Sequence, residues 1–444
     1  MTLRISFTTE QAIRLFELVF ALTGILFFCH ALHKPLGGLS SLIRYGVFLT
    51  SVGLIIFRWR MLIYVIKGDP FILLVNLISL VSFNWSEVPH ESKVACREIL
   101  YMVSLSLYLA TRFNLREQLI LLCWGLEITA FISAVYGLAL PAEGIHQSGE
   151  FVGLWKGVYS HKNDLSAFIT LGGATHLVLL FDRNYNRIWA AAGLALCVFV
   201  VLMSGSKSGL VNMIFLVGML FLLRTIRWRN LLMIMIFATI IGTAIPVTTV
   251  ILGNWDNIMI GLGKDPTLTG RTDIWGYAFT QIEERPYFGY GRGGFWSREL
   301  DYAAEAGLAV VGAPPVSILT PTYRPPHSHN GTVDTLLEVG WIGYGLLLIS
   351  ILLMVTRTVK RIYITETPED FWPLIFFTFF ALYNFTESLM MIGENIFWVN
   401  YVATALTVRI GGQEELPERP TIRYRYRSLQ ATVPLSQARQ KTPV

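Results

Sequence analysis

The chain has 444 residues, of which 53% are hydrophobic and only 15% are charged, and its mean hydropathy is +0.53. This composition excludes an ordinary soluble domain. The net charge of +5 comes largely from basic residues that flank apolar runs, so it is poor evidence for a nucleic-acid partner.

Apolar runs of roughly 17–25 residues recur from end to end, each long enough to cross a hydrocarbon core about 30 Å thick. Helices are expected, because an isolated lipid-exposed strand would leave its backbone groups unpaired. The sequence therefore predicts an all-α polytopic membrane protein with about 12 transmembrane helices. These are centred near residues 15–33, 42–57, 69–83, 96–110, 118–140, 165–181, 188–203, 208–223, 231–252, 332–356, 371–390 and 396–409. The first is expected to be retained, since no small-residue cleavage site follows it.

Basic residues predict the orientation of these helices. They concentrate in alternate connections and near both termini, and this side should be cytoplasmic. The connections 84–95, 141–164, 204–207 and 253–330 are then expected outside. Four regions follow: transmembrane helices 1–9 over residues 1–252, a periplasmic loop over 253–331, helices 10–12 over 332–410, and a basic cytoplasmic tail over 411–444 that is predicted to be disordered.

The cysteines lie in or beside apolar runs with no CxxC spacing and none in the long outer loop, so neither a structural disulfide nor a zinc site is expected. Nucleotide-binding and zinc-protease motifs are also missing from the sequence. Energy for the protein's work must therefore come from an activated substrate or from an ion gradient.

Two short outer segments carry unusual polarity. Residues 160–164 read Ser-His-Lys-Asn-Asp and place His161, Lys162 and Asn163 at the mouth of a helix. The alternative is a plain helix start, in which Asn163 or Asp164 caps the helix and Lys162 reaches the lipid headgroups. Residues 204–209 read Ser-Gly-Ser-Lys-Ser-Gly, a turn whose amides and Lys207 suit a phosphate, although a simple helical hairpin would also explain it.

The long outer loop contains the pattern of an amphipathic helix, with Thr272 or Asp273 expected as N-cap and an end before Pro286. Its apolar positions at helical spacing are Ile274, Trp275, Ala278, Phe279 and Ile282. Arg271 would lie just ahead of the helix N-terminus, where the guanidinium and free amides favour an anion such as a diphosphate. Pairing of Arg271 with a nearby carboxylate is the alternative. The glycine-rich turn 289–294 follows, and Arg292 within it is a candidate substrate-binding residue.

The most informative segment reads His-Ser-His-Asn over residues 327–330, at the start of a helix expected to run straight into an apolar span. His327 and His329 are too close for an i, i+4 pair, and the loop does not obviously supply the further ligands that zinc would need. A neutral histidine here can accept a proton from a hydroxyl, and Asn330 can orient it or bind a sugar. The alternative is a capped helix start with incidental histidines.

Together these segments resemble bacterial O-antigen ligases and Wzy-type polysaccharide polymerases. SHKN, SGSKS, TGRTDIW and HSHN occur in the order of that superfamily, and the lysine in SGSKSG together with the SHKN box looks most like ExoQ-like exopolysaccharide polymerases. The resemblance covers roughly residues 150–400. It implies a GT-C-type membrane glycosyltransferase that needs no cofactor and no metal and lies in the bacterial inner membrane, with its active site facing the periplasm and both termini in the cytoplasm.

The resemblance also implies the roles of residues. His329 would be the general base on the acceptor hydroxyl, while Arg271 and Lys207 would bind the diphosphate of an undecaprenyl-diphosphate-linked oligosaccharide. His161, Lys162, Asn163, His327 and Asn330 would lie near the same pocket. Lys207 departs from the arginine usual in the ligases and cannot make the same two-pronged phosphate contact. The acceptor would be a second lipid-linked unit, and a chain-length regulator protein is a candidate partner.

Two alternatives stay open at the level of sequence. A ligase would transfer finished polymer to a lipid or protein acceptor, with the same donor chemistry. A polysaccharide transporter or flippase would use intramembrane polar residues, for which Glu127, Asn384 and Glu387 are candidates, with Glu387 close to the outer boundary.

Overall fold

The computed structural model describes residues 9–149, 151–226, 270–311, 324–364 and 367–408. Among these residues the structure is helical, with one isolated β-bridge between Ile145 and Trp155. The predicted span 231–252 lies outside the described residues. So does the tail, which belongs to a separate unit, Gly411–Val444.

Among the described residues, three short 3-10 turns at Gly37–Leu39, Ser82–Asn84 and Pro368–Phe371 lie between successive helices. The helices are α1 Thr9–Phe28, α2 Ser40–Phe57, α3 Trp59–Ile66, α4 Pro70–Val81, α5 Pro89–Arg112, α6 Leu115–Ala139, α7 Pro141–Gly144, α8 Lys162–Leu179, α9 Arg187–Ser204, α10 Lys207–Ile226, α11 Arg271–Glu284, α12 Tyr302–Val311, α13 Gly331–Ile364, α14 Trp372–Thr386 and α15 Ile396–Thr407.

Every predicted span within the described residues overlaps one of these helices. Among the described residues, six helical segments are long and apolar enough to cross a membrane, and α3 with the segment Pro70–Asn84, bent by 100°, would make a seventh. The structure thus agrees with a polytopic membrane protein. The number of 12 spans and the GT-C likeness remain predictions, since the other helices are shorter or less apolar.

Helix α8 is the central helix of the described bundle, and its side chains are buried from Leu165 to Leu179. Its small residues explain how the neighbours approach so closely: a Cβ at Gly172 would lie 3.2 Å from the sulfur of Cys197 on α9. The helix therefore needs no continuous apolar face toward lipid. Its N-cap is His161, whose Nδ1 accepts from the Asn163 amide at 3.2 Å, so the expectation that Asn163 or Asp164 caps it was wrong.

Ion pairs divide the connections into two groups at opposite ends of the bundle. At one end, which we call the basic end, Arg58 and Arg112 both form ion pairs with Glu17 of α1. The pairs Arg116–Asp182 and Arg361–Asp370, each at 2.7 Å, link further connections of the set expected in the cytoplasm. The grouping that basic residues predicted therefore coincides with the one made by the folded chain.

At the other end, which we call the site end, the connections expected outside contact one another. Trp85 donates to the carbonyl of Phe288 at 3.1 Å, and Asn163 donates to Glu387 at 3.0 Å. Arg44 pairs with Glu394 at 2.7 Å between the start of α2 and the connection that precedes α15.

Helix α13 runs from the histidine turn directly into the apolar segment, as the sequence predicts, but it contains a break. It breaks at Gly340, whose φ of 64° and ψ of −171° are not helical. The segment after α11 enters the break and takes over the backbone groups that the break releases. The hydrogen bonds run from Trp341 N to Pro286 O (2.7 Å), Ile342 N to Tyr287 O (3.2 Å), Tyr290 N to Leu337 O (2.7 Å) and Gly291 N to Glu338 O (3.1 Å).

This splice, residues 286–291 joined to the break at Gly340, fixes the outer loop on the bundle. A buried ion pair between Arg292 and Glu338 reinforces it, with 2% and 8% of the two side chains exposed. The Arg292 amide also donates to the Ser82 hydroxyl at 2.9 Å. A cavity of about 600 Å³ lies against the splice, lined by Trp85 and residues 284–289.

Candidate functional site

The His-Ser-His-Asn segment forms a tight turn that caps α13. The side-chain oxygen of Asn330 accepts from the amides of Thr332 at 3.0 Å and Val333 at 3.3 Å. His329 has a φ of 56°, a left-handed conformation that residues other than glycine rarely adopt. Such strain persists only where the surroundings enforce it, and it is common at functional sites.

The carboxylate of Asp334, one turn into α13, enforces this conformation. It is 1% exposed and accepts from the Ser328 amide at 3.0 Å, from the Trp296 indole at 2.8 Å and from the Ser388 hydroxyl. The Ser328 carbonyl in turn accepts from the indole of Trp275 on α11 at 2.8 Å. The turn is thus held by the outer loop on one side and by the segment after α14 on the other.

Glu387, the C-cap of α14, is the centre of the site. Its Oε2 lies 3.0 Å from Nδ1 of His329, and its Oε1 lies 3.4 Å from Nη2 of Arg271 and accepts from Asn163 Nδ2 at 3.0 Å. One carboxylate thereby joins three of the four polar segments singled out from the sequence. The exposed fractions are 18% for Glu387 and 24% each for His329 and Arg271, so the group is partly open.

Electrostatics keeps this carboxylate charged. Burial alone would raise the pKa of Glu387, but the hydrogen bond and charge of His329, with the charge of Arg271, hold that pKa below its ordinary value. Burial, and then the neighbouring His329, lower the pKa of His327 to about 4. His327 is therefore neutral at neutral pH, and its Nδ1 accepts from the His329 amide at 3.1 Å.

The SHKN segment lies beside this group. The Asn163 amide touches Glu387, and burial lowers the pKa of His161 although the charge of Glu387 opposes the shift. The ammonium of Lys162 lies 4.4 Å from the ring centroid of Phe151, and the ring of His161 lies 5.2 Å from the same ring. His161 and Lys162 thus border the site through an aromatic neighbour.

Helix α11 carries Arg271 as its first residue. The predicted N-cap, Thr272 or Asp273, was wrong, because Gly270 with a φ of 83° takes that position. The predicted end of the helix before Pro286 is confirmed, as α11 stops at Glu284. The earlier start places the guanidinium in the first turn, where it reaches Glu387 across the loop.

Lys207 is exposed in the first turn of α10, after Gly205 in a left-handed conformation. The turn lies against the site helices, since a Cβ at Gly209 would overlap the Ser166 hydroxyl and lie 3.3 Å from the Tyr383 hydroxyl. Tyr383 is one helical turn before Glu387, whose amide donates to the Tyr383 carbonyl at 2.7 Å. The structure therefore brings the Lys207 turn to the site end, next to the Glu387 group.

Two candidates from the sequence have structural contacts of their own. Arg292 directly follows the splice and pairs with Glu338 rather than with Glu387. Asn330 uses its side-chain oxygen to cap α13. Both side chains stabilise the segments that carry the site, and their contact with substrate stays a prediction.

The sequence alone suggests Glu387 only as a polar residue of a transporter, and it suggests no role for Asp334. A signal for Glu387 was present: a carboxylate at the C-terminal end of an apolar helix faces the negative end of the helix dipole and needs nearby cations. For Asp334 the sequence held no such signal, because an acidic residue in the first turn of a helix is common. Only the folded chain shows that Asp334 is buried under the histidine turn.

The folded chain also supplies the ligand that the histidine loop lacked. One ligand atom each from His327, His329 and Glu387 lies within 4.8 Å of the others. All three side chains are partly buried. Two imidazoles and a carboxylate form a donor set that borderline divalent metals accept.

Comparison with known proteins confirms the resemblance expected from the motifs. Residues 192–348 match the sequence model of the family described as O-antigen ligase, a range that includes Lys207, Arg271 and His329. The chain is also 24% identical over 352 residues to the exopolysaccharide production protein ExoQ of Rhizobium meliloti strain 1021, covering 78% of this chain and 77% of that protein.

Proposed function

We propose that this chain, which is similar to O-antigen ligases and to ExoQ, polymerises polyprenyl-diphosphate-linked oligosaccharide units into exopolysaccharide. The observation that carries the proposal is the contact of His329 and Arg271 with one carboxylate, Glu387. A base for the acceptor and a cation for the leaving group thus stand side by side at one end of the bundle.

The chemistry is a single displacement at the anomeric carbon of the donor. The acceptor hydroxyl oxygen attacks that carbon, its proton passes to the free nitrogen of His329, and the bond to the polyprenyl diphosphate breaks. One displacement inverts the anomeric centre. Charge develops on the leaving diphosphate, so cations are needed there rather than an acid.

Each residue of the group has a part in this reaction. Glu387 accepts from Nδ1 of His329, which directs the other ring nitrogen to the acceptor and stabilises the imidazolium that forms. Arg271 can exchange Glu387 for the diphosphate, since their contact of 3.4 Å is long for a charged pair. Lys207 would add a second cation from the neighbouring turn.

The setting of the site suits a lipid-borne donor. The donor enters from the bilayer with its diphosphate at the headgroup level, and the Glu387 group lies where α14 ends and α8 and α13 begin. We assign this end to the periplasm, because the opposite end carries Arg58, Arg112 and Arg116. The reaction needs neither a nucleotide sugar nor a metal, and the protein resides in the inner membrane with both termini cytoplasmic.

The test is a reaction of the purified chain with a defined lipid-linked repeat unit, without metal or nucleotide, in which the products are separated by size. Wild type should give a ladder of longer lipid-linked chains. His329→Ala should elongate about 10²- to 10⁴-fold more slowly. His90→Ala, an exposed histidine on α5, is the matched control and should leave the ladder intact.

Two results would contradict the proposal. If His329→Ala elongates as fast as wild type, the assigned base is wrong. If wild type only moves the lipid-linked unit across a vesicle membrane, the protein is a transporter.

A ligase is the second candidate, because the matching family model is described as O-antigen ligase. A ligase would use the same donor and the same residues but would transfer once to a different acceptor. In the same assay it would leave the repeat unit unextended until a lipid or protein acceptor is added, and would then give one product of defined size.

A further inference from the structure

We propose that His327, His329 and Glu387 form a zinc-binding site whose occupation inhibits the transfer reaction. The binding part stands on geometry alone, while the inhibition rests on the proposed function. The chemistry of the donors, two imidazole nitrogens and one carboxylate oxygen, is that of many three-ligand zinc sites.

The distances are close to those of a zinc site. Zinc binds histidine nitrogen at about 2.0–2.1 Å and carboxylate oxygen at about 2.0–2.2 Å, so ligand atoms of a tetrahedral site lie a little over 3 Å apart. His329 Nδ1 and Glu387 Oε2 are 3.0 Å apart, and the three ligand atoms all lie within 4.8 Å of one another. Closing the ligand atoms from as much as 4.8 Å to this spacing takes side-chain movements of about 1.5 Å.

The backbone holds the two histidines in place for this. The left-handed φ of 56° at His329 folds the turn so that the two imidazole centroids lie 4.3 Å apart, although the residues are only two positions apart in sequence. The buried carboxylate of Asp334 fixes the amide of Ser328 between them at 3.0 Å. Three protein ligands leave a fourth coordination position for water.

Inhibition follows from the electronic structure of imidazole. A neutral ring has one nitrogen with a lone pair and one N–H. Zinc at Nδ1 of His329, the atom 3.0 Å from Glu387, places the single ring proton on Nε2 and leaves no nitrogen that can take the proton of the acceptor hydroxyl. Zinc would also occupy Glu387, the residue that orients the ring.

The positive charge of Arg271 disfavours zinc binding, and this predicts a change in zinc affinity that is specific to the proposed site. Its guanidinium lies 3.4 Å from Glu387, so zinc must share the carboxylate with a fixed positive charge. Removing that charge should strengthen zinc binding, by about 10-fold for a partly exposed pair of cations. If Arg271 instead supported the zinc site only by stabilising the fold, its replacement would weaken zinc binding.

The experiment titrates zinc into the purified full chain in detergent, with a chromophoric chelator as competitor. Wild type should bind one zinc ion per chain. His327→Ala and Glu387→Gln should each weaken binding by about 10-fold or more, Arg271→Gln should strengthen it, and His90→Ala should not change it. The four cysteines are buried and should not contribute.

Zinc added to the elongation assay should stop it, and a chelator should restore it, while magnesium at the same concentration has no effect. The proposal is overturned if zinc binds equally well to wild type, His327→Ala and Glu387→Gln, all checked for the same elution volume and melting temperature. If zinc binds as described but the chelator abolishes elongation and zinc restores it, inhibition is wrong and so is the metal-free reaction proposed above. If zinc binds as described and the chain elongates nothing, the proposed function and the inhibition that rests on it both fail, while the zinc site stands.

Discussion

Glu387 shows how one side chain can organise a site made from distant parts of the chain. A carboxylate at a helix C-terminus is disfavoured by the helix dipole, and partial burial adds a desolvation cost. The contacts with His329 and Arg271 offset both effects, since they lower the pKa of Glu387 despite its burial. The residue is therefore charged in the folded state and holds its partners together.

Two replacements of Glu387 separate the effect of its negative charge on elongation from the effect of its side-chain shape. We expect Glu387→Gln to reduce elongation by about 10²-fold or more, because the amide neither stabilises the imidazolium nor fixes its tautomer. Glu387→Asp keeps the charge and should retain more activity than Glu387→Gln. Initial rates of lipid-linked elongation measure both, and equal rates for Glu387→Gln and wild type would remove Glu387 from the mechanism.

A second carboxylate in the same connection predicts a pH effect on stability. Burial raises the pKa of Glu394 from 4.5 to about 7, although Arg44 opposes the shift. The folded chain therefore keeps a proton that the unfolded chain releases between pH 4.5 and 7, so stability falls as pH rises through this window.

We expect the apparent melting temperature of wild type to fall by a few degrees more than that of Glu394→Gln between pH 5 and pH 8, since the amide carries no titrating proton. Thermal unfolding in detergent at both pH values is the measurement. Parallel curves for the two proteins would contradict the assigned shift.

At the scale of elements, the break in α13 was beyond the reach of the sequence. A glycine within a long apolar run is common in membrane helices, and nothing near Gly340 marks it as the break point. A distant segment sets the position of the break. The backbone amides of Trp341 and Ile342 donate to the carbonyls of Pro286 and Tyr287, some 55 positions earlier in the chain. The prediction of a helix start at the histidine turn was correct, because capping is local.

Gly340→Ala tests the splice. A Cβ there would overlap the Tyr287 carbonyl, and a φ of 64° strains any residue with a side chain, so we expect a loss of about 1–3 kcal/mol of stability. Gly345→Ala, in the same helix with nothing within 4 Å of the new Cβ, is the control and should not destabilise. Melting temperatures in detergent compare them, and equal values would show that the splice is not needed.

At the scale of the molecule, basic residues predict which connections share a side of the membrane, and the ion pairs at the basic end join segments that this pattern groups together. The orientation and the number of 12 spans stay predictions. Hydropathy alone does not decide a helix such as α8, because a helix buried from Leu165 to Leu179 among other helices needs no long apolar face.

The orientation can be tested with single cysteines, because the native ones are buried. Lys93→Cys lies at the site end and Asn184→Cys at the basic end, and both positions are exposed. In intact spheroplasts a membrane-impermeant thiol reagent should label the first and not the second, which should react only after lysis. Labelling of Asn184→Cys alone would place the site in the cytoplasm.

The central claim is that His329 and Glu387 act as one unit on the acceptor. A double-mutant cycle of elongation rates tests it most directly, with His329→Ala, Glu387→Gln and the double variant. Residues that act as a unit are strongly non-additive, so the double variant should be about as slow as His329→Ala alone. A double variant slowed by the product of the two single effects would show that the two residues act independently, which contradicts a base oriented by its carboxylate partner.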